Sequence, residues 1–230
     1  EFRRVLFRSL EEMLVCANKR TGRFSSPELI KRNETIRVNK KDITDDELTA
    51  ILKEIHLKAS DMEAFPSPYE ILCAAAFMFF SKKSCDYVIL EAGMGGEGDA
   101  TNVIDLCEIA LITGISLDHT AYLGRTTKEI AAVKSGIIKK GCRFITPSSN
   151  KTFDEVFINK CKDKNAKLNY ISPFESAGFE NIYEKVTVYN ESITLSLGGI
   201  MQRENAALAV KAAEVLNIDE KSIIYGLSHA

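Results

Sequence analysis

Two short stretches of the chain hold most of the residues able to do chemistry. Residues 91–102 read Glu91-Ala92-Gly93-Met94-Gly95-Gly96-Glu97-Gly98-Asp99-Ala100-Thr101-Asn102. Their glycines permit close approach of backbone to a ligand, while Asp99, Thr101 and Asn102 supply hydrogen-bonding groups. Taken alone, such a loop serves plain loop closure as often as ligand binding. The second stretch, Ser116-Leu117-Asp118-His119-Thr120, contains one of only three histidines. An isolated His119 suits a structural hydrogen bond better than metal ligation. Four other positions carry both a plain and a chemical reading. Ser26 before Pro27 fits a helix N-cap, and Glu70 fits the third position of a capping box led by Ser67. Lys134 fits a solvated helix lysine, and Asn205, beside Gln202, a polar position near a helix start.

The elements that must position these residues follow from the apolar pattern. Residues 87–90 and 109–115 are short, β-branched runs without polar alternation, as expected of parallel strands buried on both faces. In open parallel sheets ligands collect at the carboxyl ends of the strands, which is where both loops fall. Helices are expected at residues 10–19, closed by Gly22, and from the Ser26-Pro27 N-cap. Further helices run from the Thr44–Glu47 capping box to Leu57, from the Ser67–Glu70 box to Phe80, and over 127–138, 153–163 and 201–216. Strands are expected near Phe24, at 35–38, 143–146 and 168–171, and in a hairpin of 186–189 and 193–197 about Asn190-Glu191-Ser192. The fold class is therefore α/β, a mostly parallel sheet flanked by helices, with a small hairpin near the C-terminal end.

The composition is that of an ordinary globule: 230 residues, 45% apolar, 27% charged and net charge −2. Charge balance argues against nucleic-acid partners. The longest apolar stretch, residues 71–80, is too short to cross a bilayer, so we expect a cytoplasmic protein without membrane contact. The six cysteines never fall in C-x-x-C spacing and suit buried free thiols, so neither disulfides nor zinc is expected.

Six stretches together resemble the folylpolyglutamate synthase/dihydrofolate synthase group of the Mur ligase superfamily. They are Phe24-Ser25-Ser26-Pro27, Arg32-Asn33-Glu34-Thr35-Ile36-Arg37, residues 91–102, Ser116 to Thr120 with Leu123-Gly124, Glu129-Ile130-Ala131 through Lys134-Ser135-Gly136-Ile137-Ile138, and Gln202 with Asn205-Ala206-Ala207. The resemblance spans nearly everything from residue 10 onward and implies a Mur-type central domain. It implies an ATP-dependent carboxylate–amine ligase in the parent protein. ATP would phosphorylate a carboxylate of dihydropteroate or a folate, and the amine of L-glutamate would attack the acyl phosphate. It further implies Mg²⁺ held by Ser26, Glu70 and His119, and a carbamylated Lys134. Nucleotide contacts would come from Gln202 and Asn205, and pterin-facing or structural roles from Asp99, Thr101 and Asn102. The partners implied are small molecules, and a monomer is expected.

Several departures bear on that picture. Residues 67–69 differ from the family before the glutamate, Glu28 stands where histidine is common, and Glu97 where arginine is frequent. No glycine is followed by lysine, so the family's phosphate-binding loop is missing, and it would lie where residues 1–9 stand. That opening segment has no cap or clear apolar face and reads as a candidate non-native junction, leaving 10–230 as an incomplete central domain. The glutamate-binding C-terminal domain would follow Ala230. On this reading the fragment is inactive alone. Two alternatives stay open: another Mur-type amide ligase of peptidoglycan precursors, or a non-catalytic nucleotide- or folate-binding module.

Overall fold

The computed structural model describes residues 2–196 and 198–230. Helix α1 (Phe2–Cys16) begins well before residue 10. Val5 and Leu6 are buried alongside Met13 and Leu14, so the apolar stripe runs back through the segment that showed no clear apolar face. The chain leaves α1 through Asn18 at φ 58°. Asn18 N–H reaches Val15 O and Lys19 N–H reaches Leu14 O, the bond pair of a Schellman close. Gly22 thus ends no helix. It lies in β1 (Thr21–Phe24), where a Cβ would stand 2.6 Å from the Phe80 ring.

The helix expected to open at Ser26 does not form. Residues 25–31 are irregular, the Ser26–Pro27 peptide is cis, and a single 3-10 turn covers Arg32–Thr35. A helix here would bury little, since Leu29 and Ile30 are 59% and 85% exposed. The Glu34 carboxylate accepts the backbone N–H groups of both residues instead. Ser26 is therefore no N-cap.

Beyond this turn, β2 (Ile36–Val38) and β3 (Lys41–Asp42) extend β1 antiparallel. Helices α2 (Asp45–Ala59) and α3 (Pro68–Lys82) both start from complete capping boxes, Thr44 with Glu47 and Ser67 with Glu70. Their buried faces meet Phe24, Ile36 and Ile43 in one cluster that includes Ile51, Phe79 and Phe80. Each such side chain contributes roughly 1.5–3 kcal/mol by leaving water. Strand β4 (Tyr87–Leu90) then runs parallel to β1.

The next unit is β5 (Ile109–Leu111), α4 (Thr120–Leu123), α5 (Thr127–Lys134), β6 (Arg143–Pro147), α6 (Asp154–Lys164) and β7 (Lys167–Ile171), with all three strands parallel. Strand β5 is shorter than the apolar run suggested. Helix α5 stops at Lys134 and tightens into a 3-10 turn over Ser135–Ile137. An antiparallel sheet follows: β8 (Ser176–Glu180), β9 (Tyr183–Val188) and β10 (Glu191–Leu195). The β9–β10 turn is Tyr189-Asn190, both at positive φ, one residue earlier than expected. That geometry is the two-residue turn whose twist matches the strands. Leu197, the expected end of the hairpin, lies outside the described residues. Strand β8 was not foreseen because all five of its residues are exposed.

Helices α7 (Ile200–Val215) and α8 (Glu220–Ser228) complete the chain. They join α1, β9 and β10 with Ile89 and Ile145 in the largest core. Gly226 belongs to this contact, since a Cβ there would meet Met13 backbone atoms at 2.5 Å. The parallel strands fall into two sheets, β3-β2-β1-β4 and β5-β6-β7, and β4 is not hydrogen-bonded to β5.

Candidate functional site

The loop after β4 is organised from within. Asp99 Oδ1 accepts from Thr101 N–H at 2.9 Å and Thr101 O–H at 2.5 Å, and Oδ2 accepts from Met94 N–H at 2.9 Å. Asp99 thereby caps the 3-10 turn Ala100–Val103. Asn102 Nδ2 donates to Glu97 O and Gly136 O, both at 3.2 Å, tying the loop to the turn after α5. The glycines divide by role. A Cβ on Gly93 would strike the Tyr69 ring, and one on Gly96 would lie 2.8 and 2.9 Å from the carbonyl oxygens of Lys134 and Val133. These two close the loop against protein. Gly98 alone has nothing within 4 Å and faces open space.

Beneath this loop lies a cavity of about 670 Å³ whose walls include Ser26, Glu28, Arg32, Tyr69, Glu70 and Asp99. Ser26 arrives from the end of β1, and Glu70 from the first turn of α3. Glu70 Oε2 accepts the Ser67 N–H at 2.7 Å. Its hydrogen bonds to the Ser67 side chain and backbone hold its carboxyl below the ordinary glutamate range. The Tyr69 hydroxyl lies 3.4 Å from Asp99 Oδ1. Burial, reinforced by that carboxylate, pushes the phenol well above its usual value, so it stays a neutral donor. Two hard oxygen donors lining one cavity suit Mg²⁺, which keeps several of its own waters.

His119 is not among the lining residues of that cavity. It stands on the loop after β5 with φ 48° and ψ 40°, the left-handed backbone that lets the chain turn into α4. Its Nε2 is 3.6 Å from Asp118 Oδ2, and both side chains are more than half exposed. Among the described residues no three His, Cys, Asp or Glu side chains form a ready metal cluster. Lys134 ends α5, half-buried, with its carbonyl against Gly96.

The first turns of α7 supply another polar group. Gln202 and Asn205 are 1% and 3% exposed, and Asn205 Nδ2 donates to Gln202 Oε1 at 3.3 Å. Gln202 Nε2 is buried with no hydrogen-bond partner among the described residues. An orphaned amide of this kind costs about 1–3 kcal/mol and marks a place for an acceptor. Buried Glu184 of β9 fixes this end of α7, accepting Gly199 N–H at 2.5 Å and pairing with Arg203 Nε at 3.1 Å. The Gly199 bond, with weaker help from Ser176 and Arg203, holds the Glu184 carboxyl low against the opposing effect of burial. Asn150 donates to Thr113 O at 3.0 Å and so anchors the segment leading to His119. Arg32 carried a signal, since it lies in a motif stretch, whereas Tyr69 falls where the sequence departs from the family. Glu184 and Asn150 had none, because each acts through a long-range contact.

Residues 41–213 match the Mur ligase middle domain. The dihydrofolate synthase/folylpolyglutamate synthase of Bacillus subtilis is 35% identical over 227 residues, covering 90% of this chain and 51% of that protein. Its Escherichia coli counterpart is 30% identical over 230 residues, covering 97% and 52%. The chain thus spans about half the length of these curated relatives. Among solved structures, Thermotoga maritima folylpolyglutamate synthase superposes with TM-score 0.86 at 28% identity, over 98% of this chain and 55% of that one. The E. coli protein in complex with DHPP and ADP gives TM-score 0.83 at 26% identity, over 100% and 55%. No helix among the described residues is long and apolar enough to cross a membrane. A parallel α/β frame with a cavity at its strand ends, matched to that model over most of its length, places the chain in the Mur ligase middle-domain family.

Proposed function

We propose that the chain is the central portion of an ATP-dependent carboxylate–amine ligase joining L-glutamate to dihydropteroate or a folate. The observation that carries this reading is that Ser26 and Glu70, remote in sequence, both line the cavity beneath the glycine-rich loop. The likeness to folate ligases over nine-tenths of the chain supports it. Ser26 and Glu70 would hold Mg²⁺, with His119 as the third ligand from the loop after β5. When bound, the ion offsets the charge of phosphate oxygens during phosphoryl transfer.

The remaining roles belong to this chain's own residues. Glu70, kept ionised by Ser67, holds a negative charge at the cavity edge. Gln202 Nε2 offers the nucleotide a donor that has no partner among the described residues, and Asn205 orients Gln202 through its amide oxygen. Lys134 is assigned as the carbamylated lysine, its anionic form adding an oxygen ligand beside the loop. Asp99, Thr101 and Asn102 shape the acceptor side by holding residues 91–102 in place. The parent is read as a cytoplasmic monomer.

The test uses a full-length parent and follows glutamate-dependent ADP release with dihydropteroate and with tetrahydrofolate. Glu70→Gln and His119→Ala are each expected to lower turnover by about 10–100-fold or more. Unchanged turnover in both variants overturns the site. Turnover with a nucleotide-linked peptidoglycan precursor and with neither pterin acceptor overturns the folate assignment.

A further inference from the structure

Strand β9 places a charge where its alternation calls for an apolar side chain. Glu184, Val186 and Val188 are the buried positions of Tyr183–Val188, and Glu184 is only 2% exposed. A carboxylate there is costly unless other groups answer its charge. Both answers come from the start of α7. Glu184 Oε2 accepts the N–H of Gly199, the residue that caps α7 with no side chain of its own, and Glu184 Oε1 pairs with Arg203 Nε at 3.1 Å. The Gly199 carbonyl in turn accepts the N–H groups of Gln202 and Arg203 at 3.0 and 3.1 Å. Arg203 is gripped a second time through Nη1, which donates to Phe174 O at 2.8 Å. Gln202 therefore sits inside a ring of bonds, since the cap before it and the residue after it are held by one buried carboxylate on a strand remote from the cavity loops.

We propose that Glu184 is a positioning residue for nucleotide binding, fixing the first turn of α7 from β9 and so setting where the Gln202 amide points. The inference rests on the assignment of Gln202 to the nucleotide. A donor meets its acceptor only within a limited angle, so a first turn displaced by about 1 Å aims the amide elsewhere, at a cost of up to about 100-fold. The Gly199 hydrogen bond keeps the Glu184 carboxyl low, so its charge is present throughout the neutral range. Glutamine in its place keeps one oxygen for Gly199 but turns an NH₂ group toward the Arg203 guanidinium. Two donors then face each other, and the grip on Arg203 opens.

The experiment is a double-mutant cycle between Glu184 and Gln202 in a full-length parent, read by calorimetric titration with MgATP in the absence of acceptor and by steady-state kinetics. Glu184→Gln is expected to raise the dissociation constant for ATP, and the KM for ATP with it, by about tenfold or more, while the KM for the acceptor stays unchanged. In the Gln202→Leu background the same substitution is expected to add nothing, because the amide it aims is gone. Arg203→Met opens the ion pair and leaves the Gly199 bond. It is expected to give a smaller rise, and it carries the test if Glu184→Gln does not fold. Thr187→Ala, on the exposed face of the same strand, should leave ATP affinity unchanged.

Three results would each overturn the proposal while the nucleotide role of Gln202 stands: additive effects of Glu184→Gln and Gln202→Leu, an equal rise in the KM for the acceptor, or unchanged ATP affinity in Glu184→Gln and Arg203→Met alike. Unchanged ATP affinity in Gln202→Leu alone would overturn that role, and the proposal with it.

Discussion

Replacing Gly96 by alanine tests the seam between the glycine-rich loop and α5. Gly96 has no left-handed backbone requirement, so an added methyl group meets only what surrounds it. That surrounding is the carbonyl oxygens of Lys134 and Val133 at 2.8 and 2.9 Å, with Ile137 Cγ2 at 3.0 Å. Main-chain oxygens at a helix end cannot rotate aside, so the loop must lift. Lifting strains the Glu97 N–H to Val133 O bond of 3.1 Å and the Asn102 bond to Gly136 O. Overpacking of this kind costs about 1–3 kcal/mol. For a chain of this size that lowers Tm by about 3–10 °C. Gly98→Ala is the internal control: nothing lies within 4 Å, and the loss of unfolded-chain freedom makes it neutral or stabilising by about 0.4–1 kcal/mol. Calorimetry on both variants, with hydrogen exchange at residues 97 and 102, measures the difference. Equal melting of Gly96→Ala and Gly98→Ala would refute the division of labour among these glycines.

Two further outcomes are expected. Gln202→Leu removes the orphaned buried donor together with the Oε1 that accepts from Asn205, so the two effects oppose and the Tm of the isolated chain should change little, while a full-length protein carrying it binds ATP more weakly by calorimetric titration. A large change in the Tm of the isolated chain would contradict this. Burial pushes the Glu204 carboxyl above its ordinary value, only partly offset by Ser149. A buried acid of this kind favours folding while it stays protonated, and its contribution falls as pH rises from the ordinary glutamate value through the raised folded one. Glu204→Gln is therefore expected to raise Tm near pH 7 and to change it little near pH 4. Equal shifts at both pH values would contradict this.

Local chemistry was legible and long-range placement was not. The capping boxes at Thr44 and Ser67 formed where the residue order placed them, because both partners lie within one helical turn. Ser26-Pro27 carried the same local signature but lacked an apolar stripe behind it, and no helix followed. Residues 5–9 showed no clear face in sequence because their partners, α7 and α8, lie at the far end of the chain. The same holds at the cavity. The resemblance marked Ser26, Glu70 and His119 alike, whereas their spacing gave no means of knowing that Ser26 and Glu70 line one cavity and His119 does not. Gln202 was picked out as a polar helix-start residue, but its unmatched amide becomes visible only once α7 is buried.

One feature of the frame reaches beyond the cavity. β4 and β5 each end a sheet with a row of peptide dipoles answered by no further strand among the described residues. Unpaired rows of this sort are templates for extended peptide from a neighbouring molecule. Protein concentration thus becomes an experimental variable for the isolated chain, and charged residues introduced along either row would be the means to keep molecules apart.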